Sequence, residues 1–499
     1  MQSQSRLKGS LTVLCALILV VTEALFFTMA ECVRLYALKD VTKYYAIQAA
    51  ESSFSEYNSY LWEKYHILGM DYSYGSGQSE NGRLLERMEG FASENASCEG
   101  DINLMRAYVN SVKEKHVLLT DKGAAPLVEQ GVAAIKAGLI EDVFNVAQSV
   151  GSTDGENLDE KVGAGESELN SAKEAAKEER RRRREAGEKV EEMEPVELQE
   201  NPLDTYHTLK DMMNYGILYQ VLPTEAVISY ASMSSWEQVS KRSLNCGTKE
   251  AHGVGFIKKE AFTQYLMSDY SNFLQDKEHD GLQYEVEYLI AGKDKDDENL
   301  TAVMEQILLI REGVNFSHIM SDSGKLAQVT EVATAICSAA LIPEFIPAVE
   351  MAVAAAWAYV ESVLDVRTLM AGGKVPAIKD ASTWTSDLYH LSGWIGKDSM
   401  ARSVEFGLEY KDYLNAFLLA EGVGNTLALR ACDVMENALH TQEGYENVRL
   451  DYMICDMDLE MEFSADQLFF NFVNVPGLGL DVYSIKQKHS INYLGNREE

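Results

Sequence analysis

An apolar run from Leu11 to Ala30, interrupted by a single charge at Glu23, constrains this chain more than any other feature. A helix needs roughly 20 such residues to cross the hydrocarbon core of a bilayer. Leu11, Val13, Leu14, Leu17, Leu19, Val21, Leu25 and Phe27 supply them. Arg6 and Lys8 stand just before the run. The positive-inside bias then predicts a cytoplasmic leader over residues 1–9, a transmembrane helix over 10–30, and an extracytoplasmic remainder. The expectation is a single-pass protein of the cell membrane, with the lipid bilayer as its first partner.

Three readings of the run compete. A cleaved secretory signal has an apolar region of about 7–15 residues and a small-residue cleavage site. This run is longer, and its end, Thr28-Met29-Ala30-Glu31-Cys32, offers neither such a site nor a lipobox before Cys32. An ordinary membrane anchor keeps the whole segment. A prepilin-like signal loses a short basic leader ending in glycine and keeps the helix. Gly9-Ser10-Leu11-Thr12-Val13 resembles the start of TadE-like pseudopilins of the tight-adherence (Tad) pilus system. The resemblance implies processing between Gly9 and Ser10 by a prepilin peptidase. Those proteins carry Glu at the fifth residue after the cut, where this chain has Leu14, and Glu23 comes nine residues later.

Composition narrows the function classes. There are 78 acidic and 44 basic residues, a net charge of −34. Such a surface repels phosphate backbones, so nucleic acid is not an expected partner. Hydrophobic residues make up 46% of the chain, enough for a packed core. Proline is scarce, with 8 residues, and Ala, Leu, Glu and Met are abundant, which favours helix. The seven cysteines contain no C-x-x-C pair, the spacing that zinc ribbons and redox sites use. Isolated buried thiols are expected, with a Cys432–Cys455 disulfide left open.

Helical periodicity continues past the apolar run through Val33, Leu35, Leu38, Val41, Tyr44, Tyr45, Ile47 and Ala50, predicting one helix to about Phe54. The aromatic cluster Tyr57 to Tyr65 is read as packing where this helix meets the head. Residues 82–150 read as helices. Leu84, Leu85, Met88 and Phe91 form one stripe, Ile102, Met105, Tyr108 and Val109 a second, and Val132, Ile135, Leu139, Val143 and Val146 a third. Residues 31–150 thus form the spine and first part of the head. Hydrophobic residues almost vanish over 151–200, where a disordered linker or a lone charged helix is expected. The run Arg180 to Arg184 is flanked and neutralised there by Glu174, Glu178, Glu179, Glu185 and Glu188.

Residues 201–447 read as the helical core of the head. Helices are expected near 258–274, from Leu300 to Ile310, near 410–419 and near 426–438. The stretch Val332 to Val360 reads as two buried helices around Pro343 and Pro347, because Glu344 and Glu350 leave its apolar runs too short to span a bilayer. After residue 448 the period changes to two. Leu450, Tyr452, Ile454, Met457, Leu459, Met461 and Phe463 roughly alternate with acids, and a second strand follows the turn Pro476-Gly477-Leu478-Gly479. The fold class is mainly α (α+β), with a transmembrane helix, a helical head and a small C-terminal antiparallel β element over 448–499.

Motifs for catalysis are missing. The sequence has no HExxH, GxSxG, P-loop or GxGxxG. Asp294, Asp296, Asp297, Glu298 and Asn299 lack the alternation, central glycine and distal Glu of an EF-hand, and read as the capped start of a helix. Glu361 and Asp365 share a helical face, where paired carboxylates can do acid–base work. An ion pair with Arg367 or Arg402, or a bond to neighbouring backbone, is the expectation instead. No catalytic, cofactor-binding or metal-ligating residue is assigned, and no cofactor is expected.

Several stretches resemble a family found with Tad pilus and secretion genes in Clostridia-type bacteria. They are Lys8 to Val13, Leu61-Trp62-Glu63-Lys64-Tyr65, Glu287 to Lys293, Asp297 to Leu300 with Ile310-Arg311, Ala356 to Ser362, Gly373 to Pro376 and Tyr410 to Leu414. The resemblance implies a non-enzymatic, membrane-anchored pseudopilin-like component that meets other Tad pilus subunits and the assembly platform in assembly or surface adhesion. The alternative is an extracytoplasmic enzyme or ligand-binding head on a membrane tether.

Overall fold

A computed structural model describes residues 3–97, 103–138, 158–185, 200–233, 236–253, 256–340, 342–420, 425–469 and 482–494. The turn at 476–479, Leu480, Cys98, Ile102, the stripe Leu139–Val143–Val146 and the flanks 151–157 and 186–199 of the charged segment lie outside them. The chain divides into two units. Unit 1 is Met1–Leu139, Trp236–Lys258 and Met435–Glu499, and unit 2 is Ile140–Ser235 and Lys259–Val434.

Unit 1 is built on helix α1, Ser3–Phe54, which is continuous through the apolar run and the amphipathic stretch after it. Its apolar half is exposed, with Val21 at 65% and Phe26 at 68%. Further along, Leu38, Ala46, Ala49, Ala50 and Phe54 are buried. Helix α2, Ser59–Tyr65, buries Leu61 and Tyr65, so part of the aromatic cluster is packing, and Asn58 Oδ1 caps it by accepting from Leu61 N at 3.0 Å. Strand β1, Met70–Asp71, helix α3, Gly82–Ala96, strand β2, Ala107–Leu118, and helix α4, Asp121–Lys136, follow. The C-terminal part supplies strands β3, Met453–Asp466, and β4, Val482–Asn492.

All pairings in the sheet are antiparallel and all run through β3. It pairs with β2 along one edge and with β4 and β1 along the other. The expected period-two strands over 448–499 are present. Met457, Leu459, Met461 and Phe463 turn inward to the alanines of α1 and to Leu84, Met88 and Ala92 of α3. The alternate residues form a charged face, where Glu460 lies between Lys113 and Lys488, and Lys488 Nζ sits 3.0 Å from its carboxylate. Alternation of this kind is what one buried and one solvated sheet face demand.

The sheet also corrects one expectation. Residues 107–118 are the strand β2, not part of a helix. Val109 pairs with Phe463 and Ser111 with Glu462, which leaves Asn110 as a bulge. A bulge reverses which parity faces the core. Val109 and Val112 therefore share a face although three residues apart, the spacing of a helix, while Tyr108 points to the other side and is 46% exposed.

Unit 2 is helical. Its elements are α5, Leu158–Glu185, α6, Pro202–Met213, α7, Ile217–Val221, α8, Phe256–Asp269, which starts in unit 1, α9, Glu285–Ala291, α10, Asp296–Ser321, α11, Ser323–Ala340, α12, Ile346–Met370, α13, Tyr410–Ala420, and α14, Asn425–His440, which runs on into unit 1. The proline-marked pair around Pro343 and Pro347 is α11 and α12, as expected. Residues Ala352 to Met370 of α12 are buried on every side, as in the central helix of a core. Helix α9 ends on Gly292 in the left-handed region (φ 64°), and Arg430 Nη1 donates to its last carbonyls, Leu289 O and Ile290 O, at 2.8 and 2.9 Å. Positive charge at that end also suits the helix dipole.

The charged segment differs from a lone solvated helix. Helix α5 has a stripe of small and apolar residues, Val162, Gly165, Leu169 and Ala172, that is buried against α12. Its later turns carry the expected surface pairs, Lys177–Glu174 and Arg181–Glu178, both at 2.7 Å. Such exposed pairs contribute about 0.3–0.5 kcal/mol each, so the packed stripe decides where the helix lies. A Cβ at Gly165 would fall 2.7 Å from Ala352 Cβ and 2.8 Å from Ala348 O, whereas one at Gly163 meets nothing within 4 Å. Gly165→Val is expected to destabilise unit 2 by about 1–3 kcal/mol. Gly163→Ala should be neutral or add up to about 1 kcal/mol. Urea unfolding of the full chain in detergent, followed by hydrogen exchange at α5 and α12, measures both.

Candidate functional site

The most distinctive local arrangement lies where α1 changes from exposed to packed. Glu31 and Arg34 face the same way, one turn apart, and are buried to 1% and 4% exposure. Arg34 Nη1 donates to Glu31 Oε1 at 2.7 Å, its Nε to Leu104 O at 2.5 Å and its Nη2 to Met105 O at 2.6 Å. The second Glu31 oxygen accepts from Phe469 N at 3.0 Å. Asn103 prepares this contact. Its Oδ1 accepts from Met105 N and Arg106 N at 3.0 and 2.9 Å, an Asx-type turn that aims the 104 and 105 carbonyls at the guanidinium. One buried ion pair thus fastens the start of β2 and the residues after β3 to α1.

Two further sutures run along the packed half of α1. Gln487 Nε2 of β4 donates to Lys39 O and Thr42 Oγ1, each at 2.9 Å. Tyr493 OH donates to Phe54 O at 2.8 Å, at the end of the helix. Beside the ion pair, Phe26, Met29, Val33, Leu104, Met105 and Phe469 line a groove of about 470 Å³. The ring of Phe469 also stacks on that of Phe27, 6.2 Å away.

Of the residues singled out in the sequence, Gly9 and Ser10 lie inside continuous helix. Leu11, Val13, Leu14, Leu17, Leu19, Val21 and Leu25 are exposed, and Phe27 is half-buried against Phe469. Cys455 is a buried free thiol whose Sγ donates to Val117 O, so it forms no disulfide with Cys432.

The carboxylates of α12 do not pair with Arg367. Asp365 Oδ2 accepts from Arg311 Nε and Nη2 at 3.0 and 2.8 Å and from Asn315 Nδ2 at 2.9 Å, and Lys379 Nζ lies 2.5 Å from its Oδ1. Lys379 also pairs with Glu361, which accepts from Thr385 N and from Ser386 N and Oγ. Two cations balance two anions, and all four groups are buried. Burial alone would raise the Asp365 pKa, but Arg311 and Lys379 hold it below the usual carboxylate value. Removing one partner from such a pair typically costs about 3–5 kcal/mol. The cluster ties residues 376–386 to α10 and α12 and exposes no carboxylate oxygen to a substrate. Arg367 instead donates to main-chain carbonyls, among them Gln220 O at 2.9 Å and Gly396 O at 2.6 Å, and burial lowers its pKa to about 10.

The acidic start of α10 is used differently from a cap. The N-cap is Lys295, whose side chain makes no cap bond, while Asp296, Asp297 and Glu298 fill the first turn, where they suit the dipole. Asp296 accepts from Ser229 Oγ, Gln283 N and Tyr284 N at 2.6, 3.0 and 3.2 Å, and Asn299 exchanges two bonds with Lys293. These oxygens are spent on protein donors.

A model of a family of unknown function, DUF5702, matches residues 192–465, more than half of the chain. The chain belongs to this family. No curated protein and no solved structure matches it. In this DUF5702 chain the matched region takes in α12 with Glu361, Asp365 and their counter-ions, while α1 lies outside it.

Like Asp296, the buried acids Glu287 and Glu312 of unit 2 show no cationic hydrogen-bond partner among the described residues. Burial raises the pKa of Glu287 to about 7, against the lowering effect of bonds from Tyr410 OH at 2.6 Å and Phe273 N at 2.9 Å. Its Oε2 has no hydrogen-bond partner among the described residues. Burial likewise raises Glu312 to about 7. Between the unfolded value near 4.5 and about 7 the native state holds more protons than the unfolded state, so stability falls as pH rises through that window. Glu287→Gln keeps the shape without the titration. It should match the wild type at about pH 5 and exceed it by roughly 1–3 kcal/mol at about pH 8, measured by urea unfolding at the two pH values.

Proposed function

We propose that this protein is a membrane-anchored, pseudopilin-like component of a Tad-type pilus or secretion apparatus, acting in assembly or surface adhesion. The observation that carries the reading is the change of partner along α1. One unbroken helix exposes the large apolar side chains of Leu11–Met29 and then buries Leu38, Ala46, Ala49 and Ala50 on an antiparallel sheet. A helix that is apolar all round and unburied needs an apolar solvent. The same helix docked on a sheet is the layout of a pilin-type spine carrying a head.

The N-terminus lies on the cytoplasmic side in this reading, and everything after the apolar run of α1 lies outside. Other pilus subunits, the assembly platform and a prepilin peptidase are the partners. The net charge of −34 suits a soluble outward face. Leu14 offers no carboxylate at the position where pseudopilins carry Glu, which favours a place at the filament's base or tip over one within its shaft. Two measurements test the reading. N-terminal sequencing of the mature protein is expected to start at Ser10, and deletion is expected to abolish or strongly reduce piliation and adhesion. Release of the head into the medium, or unchanged filaments in the deletion strain, contradicts it.

A further inference from the structure

We infer that the groove beside the Glu31–Arg34 pair is a lipid site, holding an acyl chain of the outer leaflet so that the head rides on the membrane surface. The inference rests on the membrane reading of α1 and goes beyond it, because an anchor alone does not require the head to touch the bilayer.

Depth along α1 comes first. The helix rises about 1.5 Å per residue, so the run from Leu11 to Ala30 matches the roughly 30 Å hydrocarbon core. Phe26 and Met29 fall in the last turns of that span and form one wall of the groove. Leu104, Met105 and Phe469 form the opposite wall. These three belong to the head and are held at this height by the buried ion pair, not by apolar contact alone. Leu104 is 52% exposed and Val33 69%. In water this surface is unfavourable by about 25 cal/mol per Å². At the edge of a bilayer the cost disappears.

The chemistry of the lining selects the occupant. Among the described residues the groove has one charged group, Arg34, each nitrogen of which already donates to Glu31 or to a carbonyl. No charge is left to recognise a headgroup phosphate or a peptide carboxylate, so the occupant is an apolar chain. A second copy of this protein would bring another chain of net charge −34 alongside, and two acidic heads repel. Lipid chains already surround the span and carry no such penalty.

Site-specific photocrosslinking tests this with the full chain in phosphatidylcholine–phosphatidylglycerol vesicles. A benzophenone amino acid replaces Leu104 in one variant and Val33 in a second, so that a folding defect at one position leaves the other informative. Leu19, in the middle of the span, reports the membrane reading itself, and Tyr44, exposed on α1 about 21 Å beyond Ala30, reports water. Acyl-chain adducts, identified by mass, are expected from positions 104, 33 and 19 and not from 44. Adducts from 19 with none from 104 or 33 overturn the lipid site and leave the anchor standing. Crosslinked dimers from 104 assign the groove to a second copy and also overturn it. No adduct at 19 removes the membrane reading, and the lipid site with it.

Discussion

Everything in unit 1 depends on a single helix having to satisfy two environments. The first half of α1 carries no inward face, because its apolar side chains project all round. The second half has one, made of Leu38, Ala46, Ala49, Ala50 and Phe54. The small alanines let the helix lie close on β3, the strand through which every sheet pairing passes. The transition between the two halves is where a helix is least supported, and it is where the chain spends a buried ion pair. Burying Glu31 and Arg34 is costly, and the cost is offset because each guanidinium nitrogen and both carboxylate oxygens have a partner. That gives the junction a defined geometry, which apolar contact alone does not provide.

Unit 2 solves a related problem with different means. Helix α12 is buried all round, so the loops and helices about it need polar ties that reach into an apolar core. The Arg311–Asp365–Lys379–Glu361 cluster is such a tie, neutral as a whole and closed to solvent. Arg367 is another, a cation satisfied only by carbonyls. Glu287 and Glu312 show the opposite solution, in which burial without a cation favours the protonated acid. The paired carboxylates that look like acid–base chemistry in the sequence are therefore structural in their surroundings.

Long, regular periods were legible in the sequence: α1, the α11–α12 pair, α13, α14, and the alternating β3 with its partner β4. Misread elements have specific causes. The stripe Met105, Tyr108 and Val109 ran a loop residue into β2, where Tyr108 and Val109 are neighbours on opposite faces of the strand. Helix α5 docks through Gly165 and Ala172, residues too small to register as a hydrophobic stripe. The counter-ions of Glu361 and Asp365 come from Lys379 and Arg311, distant along the chain, so neither helical spacing nor proximity points to them. Asn103 and Phe469 shape the junction from loops, where no periodicity exists to read.

The central claim is that α1 is retained as one spine, sheltered by lipid at its start and by the sheet further on. Cysteine accessibility along α1 in intact cells tests it most directly. Single cysteines are placed from residue 11 to 50 in a chain whose native exposed cysteines are replaced, and each is treated with a membrane-impermeant maleimide. The account predicts no labelling from 11 to 30, then labelling in a helical rhythm, with Tyr36 and Tyr44 positions reactive and Leu38 and Ala46 positions protected. Labelling within 11–30, or uniform labelling from 31 to 50, contradicts it.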